Sequence, residues 1–170
     1  MKRGPVATRR HAVVAMAALC VVPASRAAES ALPSPASLAD ALAKALARQQ
    51  PLVVMASLQG CPFCKIVREH YLAPELAAGL PVVQIDFRDT RAVRGFDGAP
   101  LTHEALLKAW GITVAPTVLF FGRNGREVAE RLVGGASDFY GAYLEERLRQ
   151  ARAQAGFPQP SSPSLPRDRS

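Results

Sequence analysis

The stretch "LQGCPFCKIV", Leu58 to Val67, sets two cysteines three positions apart with only Pro62 and Phe63 between them. The whole chain holds three cysteines in 170 residues, so two of the three stand in this one segment. Such a pair can ligate a metal, staple a loop, anchor a haem or exchange electrons as a dithiol. The sequence on either side decides among these, beginning with where the chain is sent.

The opening residues, MKRGPVATRRH, carry Lys2, Arg3, Arg9 and Arg10 and no acid, and residues 12–24 that follow are apolar apart from Cys20 and Pro23. A helix of that length rises only about 20 Å against a hydrocarbon core of roughly 30 Å, too little for a spanning anchor. The order basic, apolar, small is that of a secretory signal peptide. Ser25 and Ala27 supply small residues around a cut after Ala27. Residues 1–27 are therefore expected to be removed on export to the periplasm, leaving no stable membrane anchor. Arg9-Arg10 is similar to a twin-arginine signal, but Ala12 stands where such signals carry Phe, so ordinary export is the expectation. Cys20 lacks the flanking residues of a lipoprotein site and leaves with the signal.

That cut removes five of the 21 basic residues and none of the 14 acids, so the net charge falls from +7 to +2. The basic character is thus an export feature. No basic stripe with interleaved aromatics is left to bind nucleic acid. The two remaining cysteines are Cys61 and Cys64, placed in an oxidising compartment where thiol chemistry operates.

The remaining chain suffices for one domain with a real core. Residues 28–36 read as a linker and 37–152 as the folded domain. Residues 153–170 read as a tail that is disordered from Gly156, because "GFPQPSSPSLPRDRS" has too few apolar residues to offset its ordering entropy. Inside the domain, Ser37 caps a helix over 37–49 with Leu38, Leu42, Ala45 and Leu46 on one face. "LVVMAS", 52–57, is a continuous apolar run and predicts a strand buried on both faces. After the Cys pair comes a helix carrying Val67 and Tyr71, broken at Pro74 and resumed to Ala78. "PVVQIDF", 81–87, predicts a second strand, and 88–100 a long polar loop. Thr102 caps a helix that buries Leu106, Leu107 and Trp110. "TVLFF", 117–121, predicts a third strand; Asn124-Gly125 turns a hairpin into a fourth across 127–133. Ser137 caps a last helix with Tyr140, Leu144 and Leu148 inward. Strand–helix–strand units imply parallel pairing with right-handed crossovers, and the hairpin adds an antiparallel edge.

The cysteine pair can now be weighed. Structural zinc needs four ligands, and the mature chain offers two cysteines with His70 and His103, which form no ligand motif and read as exposed helix residues. A copper site using Cys61, Cys64 and a histidine stays open on these residues alone. Haem attachment needs a histidine directly after the second cysteine, and Lys65 stands there. A purely structural bridge across so short a loop removes little chain entropy. The position is more telling. The pair follows a buried strand and opens a helix, where unpaired backbone N–H groups favour a thiolate at Cys61. Pro62 suits the first helical turn, and Cys64, further in, is the resolving thiol. The reading is a redox dithiol.

A second signal is "TVAPT", 113–117: a proline entering what reads as a central strand, where it removes a ladder donor. Together, CxxC, Pro-Thr before an apolar strand and the Asn-Gly hairpin resemble the thioredoxin superfamily over about residues 37–150. The resemblance implies an α/β fold with a central mixed sheet flanked by helices. It implies a cis Pro116 beside the dithiol and no cofactor or metal. Cys61 would attack a partner protein's disulfide and Cys64 would displace it. Pro62, Phe63, Ala115, Pro116 and Thr117 would form the substrate groove, with the backbone of Ala115 pairing to an extended partner chain. The string "GCPFCK" followed by "VREHYL" is similar to exported members of the sulfur-oxidation and cytochrome-maturation type. These imply a reductant kept reduced by a membrane electron donor. An adaptor or chaperone whose dithiol is incidental is the alternative. Three features depart from thioredoxin: Gly60 replaces a Trp before the first Cys, Met55 replaces a buried acid with Asp86 as a candidate substitute, and loop 88–100 is longer.

Overall fold

The computed structural model describes Met1 and residues 31–135 and 138–159. The expected signal peptide with its cut after Ala27, Ser137, and the tail beyond Gln159 lie outside the described residues. Helix α1 (Leu38–Ala47) starts where Ser37 Oγ accepts the Asp40 N–H at 3.1 Å, and buries Leu38, Leu42 and Ala45. Strand β1 (Leu52–Ser57) is buried at every position, as its unbroken apolar run requires.

Helix α2 (Pro62–Ile66) continues through a π-helical turn (Val67–Leu72) into α3 (Ala73–Ala77). The expected break at Pro74 is therefore absent. The turn widens so that the Ala73 N–H bonds the Arg68 carbonyl, five residues back, which makes room for a ring that would collide with a normal helical carbonyl. At about 1.5 Å per residue this helix runs roughly 24 Å, enough to span the six residues of β1 at about 3.3 Å each, and returns the chain to β1's starting end. Strand β2 (Val82–Asp86) accordingly pairs parallel to β1, with Val53 opposite Val82 and Ser57 opposite Asp86.

The polar stretch expected as a loop holds a small hairpin, β3 (Ala92–Arg94) antiparallel to β4 (Pro100–Thr102). Helix α4 (His103–Ala109) follows, with Thr102 Oγ1 accepting the Ala105 N–H at 3.1 Å. Seven residues rise only about 10 Å, too short to carry the chain back along the sheet. Strand β5 (Thr117–Phe121) therefore enters from the end where β2 finished and runs antiparallel to β1, with Ala56 opposite Thr117. The expected parallel pairing of this third strand is corrected, and the correction matters: it brings the start of β5 to the cysteine end of β1.

Asn124 and Gly125 both take positive φ, at 60° and 65°, and turn the chain as expected. The fourth strand is shorter than 127–133: β6 spans Leu132–Val133 against Thr117 and Val118, and a lone bridge joins Phe121 to Glu127. Helix α5 (Tyr140–Ala155) begins with Phe139 at the cap position. It runs past the expected boundary at 152. Gly156 closes it at φ 70°, the Phe157 N–H bonds the Arg152 carbonyl at 2.8 Å, and the Phe157 ring is buried beneath the Arg123 guanidinium. The linker is also part of the fold from residue 31. Leu32 is buried, Pro33 accepts the Gln84 N–H and Ala36 the Arg94 N–H, so the segment straps the free edge of β2.

The sheet order is β2-β1-β5-β6. Alternation along the strands divides the core in two. Val53, Met55, Val118 and Phe120 face α2, α3 and α5 with Cys64, Val67, Leu72, Tyr140, Leu144 and Leu148. Val54, Ala56, Leu119 and Phe121 face α1 and α4 with Leu38, Leu42, Leu106 and Leu107. Among the described residues no helix is long and apolar enough to cross a membrane.

Candidate functional site

The site lies where β1 ends, α2 begins and β5 enters. Leaving β1, the chain turns through Leu58–Cys61, closed by the Cys61 N–H on the Leu58 carbonyl at 3.2 Å. Gly60 stands in that turn at φ 77°, a conformation that a Trp would strain, so the turn accounts for the first departure from thioredoxin. Cys61 is the N-cap of α2 in extended conformation, and its Sγ accepts the Cys64 N–H at 3.1 Å. A sulfur thus does the work that a Ser or Asp oxygen does at an ordinary cap. That bond is strongest when the sulfur is an anion. Pro62 occupies the first turn, where its missing N–H costs nothing.

Both thiols are free. Cys61 is half-buried and Cys64 fully buried, so one sulfur meets the surface and the other waits beneath it. Burial, and next its bond with Cys61, pushes the Cys64 thiol up to about 11. A hydrogen bond from the Leu58 backbone and one from the Ser57 side chain pull it the other way.

The second expected element sits alongside. The Ala115–Pro116 peptide is cis. The Cys61 thiol points at the Ala115 carbonyl, 4.0 Å away. Thr117 Oγ1 donates to the Val114 carbonyl at 2.7 Å and the Pro116 carbonyl accepts the Gly134 N–H at 2.8 Å, so both sides of the proline are tied down. Phe63 and Val114, one in each of these two segments, are 49% and 45% exposed. All seven expected site residues, Cys61, Pro62, Phe63, Cys64, Ala115, Pro116 and Thr117, belong to these two adjoining segments. One contributor was not expected. A Cβ on Gly135 would lie 2.8 Å from Val67 Cγ2, 3.1 Å from Pro116 Cγ and 3.3 Å from the Phe63 carbonyl oxygen. The pair Gly134-Gly135 directly after an apolar strand was the available signal.

With that arrangement in view, the sequence profile of the thioredoxin-like domain matches residues 38–151. The chain belongs to the thioredoxin-like family. No curated protein matches it in sequence. Among solved structures, the Thermus thermophilus thioredoxin is similar over 75% of this chain and 91% of its own, at 22% identity and a TM-score of 0.49. Poplar thioredoxin h is similar over 63% and 84%, at 21% identity and 0.46. The Fasciola hepatica thioredoxin is similar over 69% and 96%, at 23% identity and 0.43.

The other departures of this thioredoxin-like domain are resolved by its packing. Met55 is fully buried and apolar. Asp86 does not take over its place: Gln84 Nε2 donates to its carboxylate at 2.7 Å and Arg91 Nη2 does so at 2.7 Å, turning it toward the β2 edge. His70 is exposed as expected, whereas His103 is 1% exposed. Its Nδ1 accepts the Asp86 N–H at 3.2 Å and its Nε2 faces Ser34 Oγ at 3.5 Å, so a neutral ring pins β2 to the strap. Asp86, Asp89 and His103 gather closely enough to suggest a cation site. The chemistry does not fit: the Arg91 guanidinium already bridges both carboxylates, and the histidine lone pair is spent on the backbone.

Proposed function

We propose that this protein is an exported thiol–disulfide oxidoreductase that reduces disulfides of partner proteins in the periplasm. The observation that carries the reading is Cys61 Sγ at the helix cap, accepting the Cys64 N–H and facing the Ala115 carbonyl. When the thiol ionises, the proton leaves Ala115 O and the Cys64 N–H holds the anion. The Ala115 carbonyl is then available to accept a backbone N–H from an extended partner strand, which aligns the partner disulfide over Cys61. Attack forms a Cys61–partner disulfide and expels one partner sulfur as a thiolate. Cys64 then attacks Cys61, and the partner leaves with both electrons from the pair. Phe63, Val114 and Pro116 supply an apolar rim that reads little side-chain identity.

The direction as a reductant is supported by the likeness of "GCPFCK" followed by "VREHYL" to exported members of the sulfur-oxidation and cytochrome-maturation type. Reducing equivalents would come from a membrane electron donor, and the basic-apolar-small start of the sequence supports export. Insulin reduction with excess dithiothreitol tests the activity. The protein is expected to accelerate insulin precipitation, Cys61→Ala to abolish the acceleration, and Cys64→Ala to reduce it severely. Full acceleration by Cys61→Ala would contradict the proposal.

A further inference from the structure

Once Cys61 is joined to a partner, exchange waits on Cys64, which is fully buried in the core cluster that includes Met55, Val67 and Leu72. In the free dithiol, burial and then the Cys61 sulfur push this thiol up to about 11, and the burial persists once Cys61 is bonded to a partner. A donor aimed at the sulfur therefore governs how often resolution can begin. Ser57 is placed for this. It lies two residues beyond Met55 on β1, hence on the same face of the sheet, and it is 1% exposed. Arg68, four residues after Cys64 on the same helical run, donates from Nη1 to Ser57 Oγ at 3.5 Å and to Gln84 Oε1 at 3.2 Å. Gln84 in turn holds Asp86 at 2.7 Å, so the guanidinium is fixed from behind. These polar groups line an open cavity of about 580 Å³ that reaches Gly60 beside the dithiol. A hydroxyl carries one hydrogen. Arg68 donates to the oxygen, which leaves the hydroxyl hydrogen free to turn to the sulfur, and the Ser57 side chain does lower the Cys64 thiol.

We propose that Ser57 is a catalytic hydrogen-bond donor to the resolving thiolate of Cys64, with Arg68 as the positioning residue that orients and polarises it. The inference rests on the dithiol reading above and deepens it. The step balances. Cys64 gives up its thiol proton, its thiolate attacks Cys61 Sγ, the Cys61–partner bond breaks and the Cys61–Cys64 bond forms. The released proton ends on the departing partner sulfur. The partner is reduced by two electrons and the pair is oxidised by two. The other titratable groups facing the sulfur are Cys61 and Tyr140 of α5. Burial, then Tyr71 and Cys64, raises the Tyr140 phenol well above its ordinary range, so it stays neutral throughout.

The test uses the reduced protein and the aromatic disulfide 5,5′-dithiobis(2-nitrobenzoate), whose coloured thiolate is released twice. The first release reports attack by Cys61 and the second reports expulsion by Cys64. Ser57→Ala is expected to slow the second release about tenfold at neutral pH and move its pH profile about one unit alkaline, with the first release unchanged. Ser57→Thr, which keeps the hydroxyl, is expected to stay within about twofold of wild type, and Arg68→Met to fall between the two. Arg68→Met also carries the test if Ser57→Ala proves unstable. A Ser57→Ala or Arg68→Met profile superimposable on wild type would overturn the proposal. So would a shift in Tyr140→Phe in place of Ser57→Ala, which would assign the donor to the phenol. A wild-type protein giving no second release would sink the dithiol reading instead, and the two failures are distinguishable.

Discussion

His103 shows how much one buried ring sets at the scale of a residue. Burial, then the nearby Arg91, holds its imidazole below the ordinary value of 6.5. As pH falls through 6.5 the unfolded chain takes up this proton before the folded one, so stability is lost until pH drops below the depressed folded value. Protonation also removes the acceptor for the Asp86 N–H. His103→Asn, which can keep an acceptor near Nδ1, is expected to flatten the loss of stability as pH falls below about 6.5 in denaturant titrations. An unchanged slope would contradict this. The ring was read as exposed from the sequence because its partners are remote: Ser34 is 69 positions away. By contrast Cys61, Cys64 and Pro116 were legible, since the spacing of the first two and the ladder position of the third are local facts. Ser57 was passed over as the last residue of an apolar run, because nothing in the sequence shows that Arg68 folds back to it.

Elements meet at the site because their lengths differ. The long helix from Pro62 to Ala77 returns the chain for a parallel strand, while short α4 leaves β5 to enter antiparallel, beside Cys61. The existence of these elements could be read from apolar runs and caps. The relative direction of β5 could not, because it depends on where α4 ends. The β3–β4 hairpin was missed because three-residue strands carry too little alternation to register. Pro74 was expected to break its helix because a π turn has no sequence signature. At this scale Gly135 is a close joint at the site, lying against Val67, Pro116 and the Phe63 carbonyl. Gly135→Ala must push the cis-proline segment away from α2. It is expected to cost about 1–3 kcal/mol in unfolding free energy and to slow insulin reduction. A variant with wild-type stability and rate would show that the two segments are not held at that distance.

For the whole molecule, the boundaries given by composition were too narrow at both ends. Leu32 and Phe157 are each buried, one in the strap and one beyond the last helix. Single apolar residues in polar, proline-rich surroundings carry no periodic signal, which is why these two were assigned to linker and tail. Ending the chain after Arg152 is expected to cost about 2–3 kcal/mol through loss of the Phe157 ring, whereas ending it after Pro158 costs little, as measured by thermal or urea unfolding. Equal stability of the two truncations would contradict the packing. The proposed reductant role predicts a potential nearer about −270 mV than about −120 mV in a glutathione-buffered equilibrium. The most direct test of the account is capture of the covalent intermediate. Cys64→Ser, expressed in cells from the full-length sequence and quenched with acid, is expected to carry a partner protein on Cys61 through a bond released by dithiothreitol and absent in the Cys61→Ala, Cys64→Ser double variant. Recovery of the single variant with Cys61 free and no adduct would contradict the account.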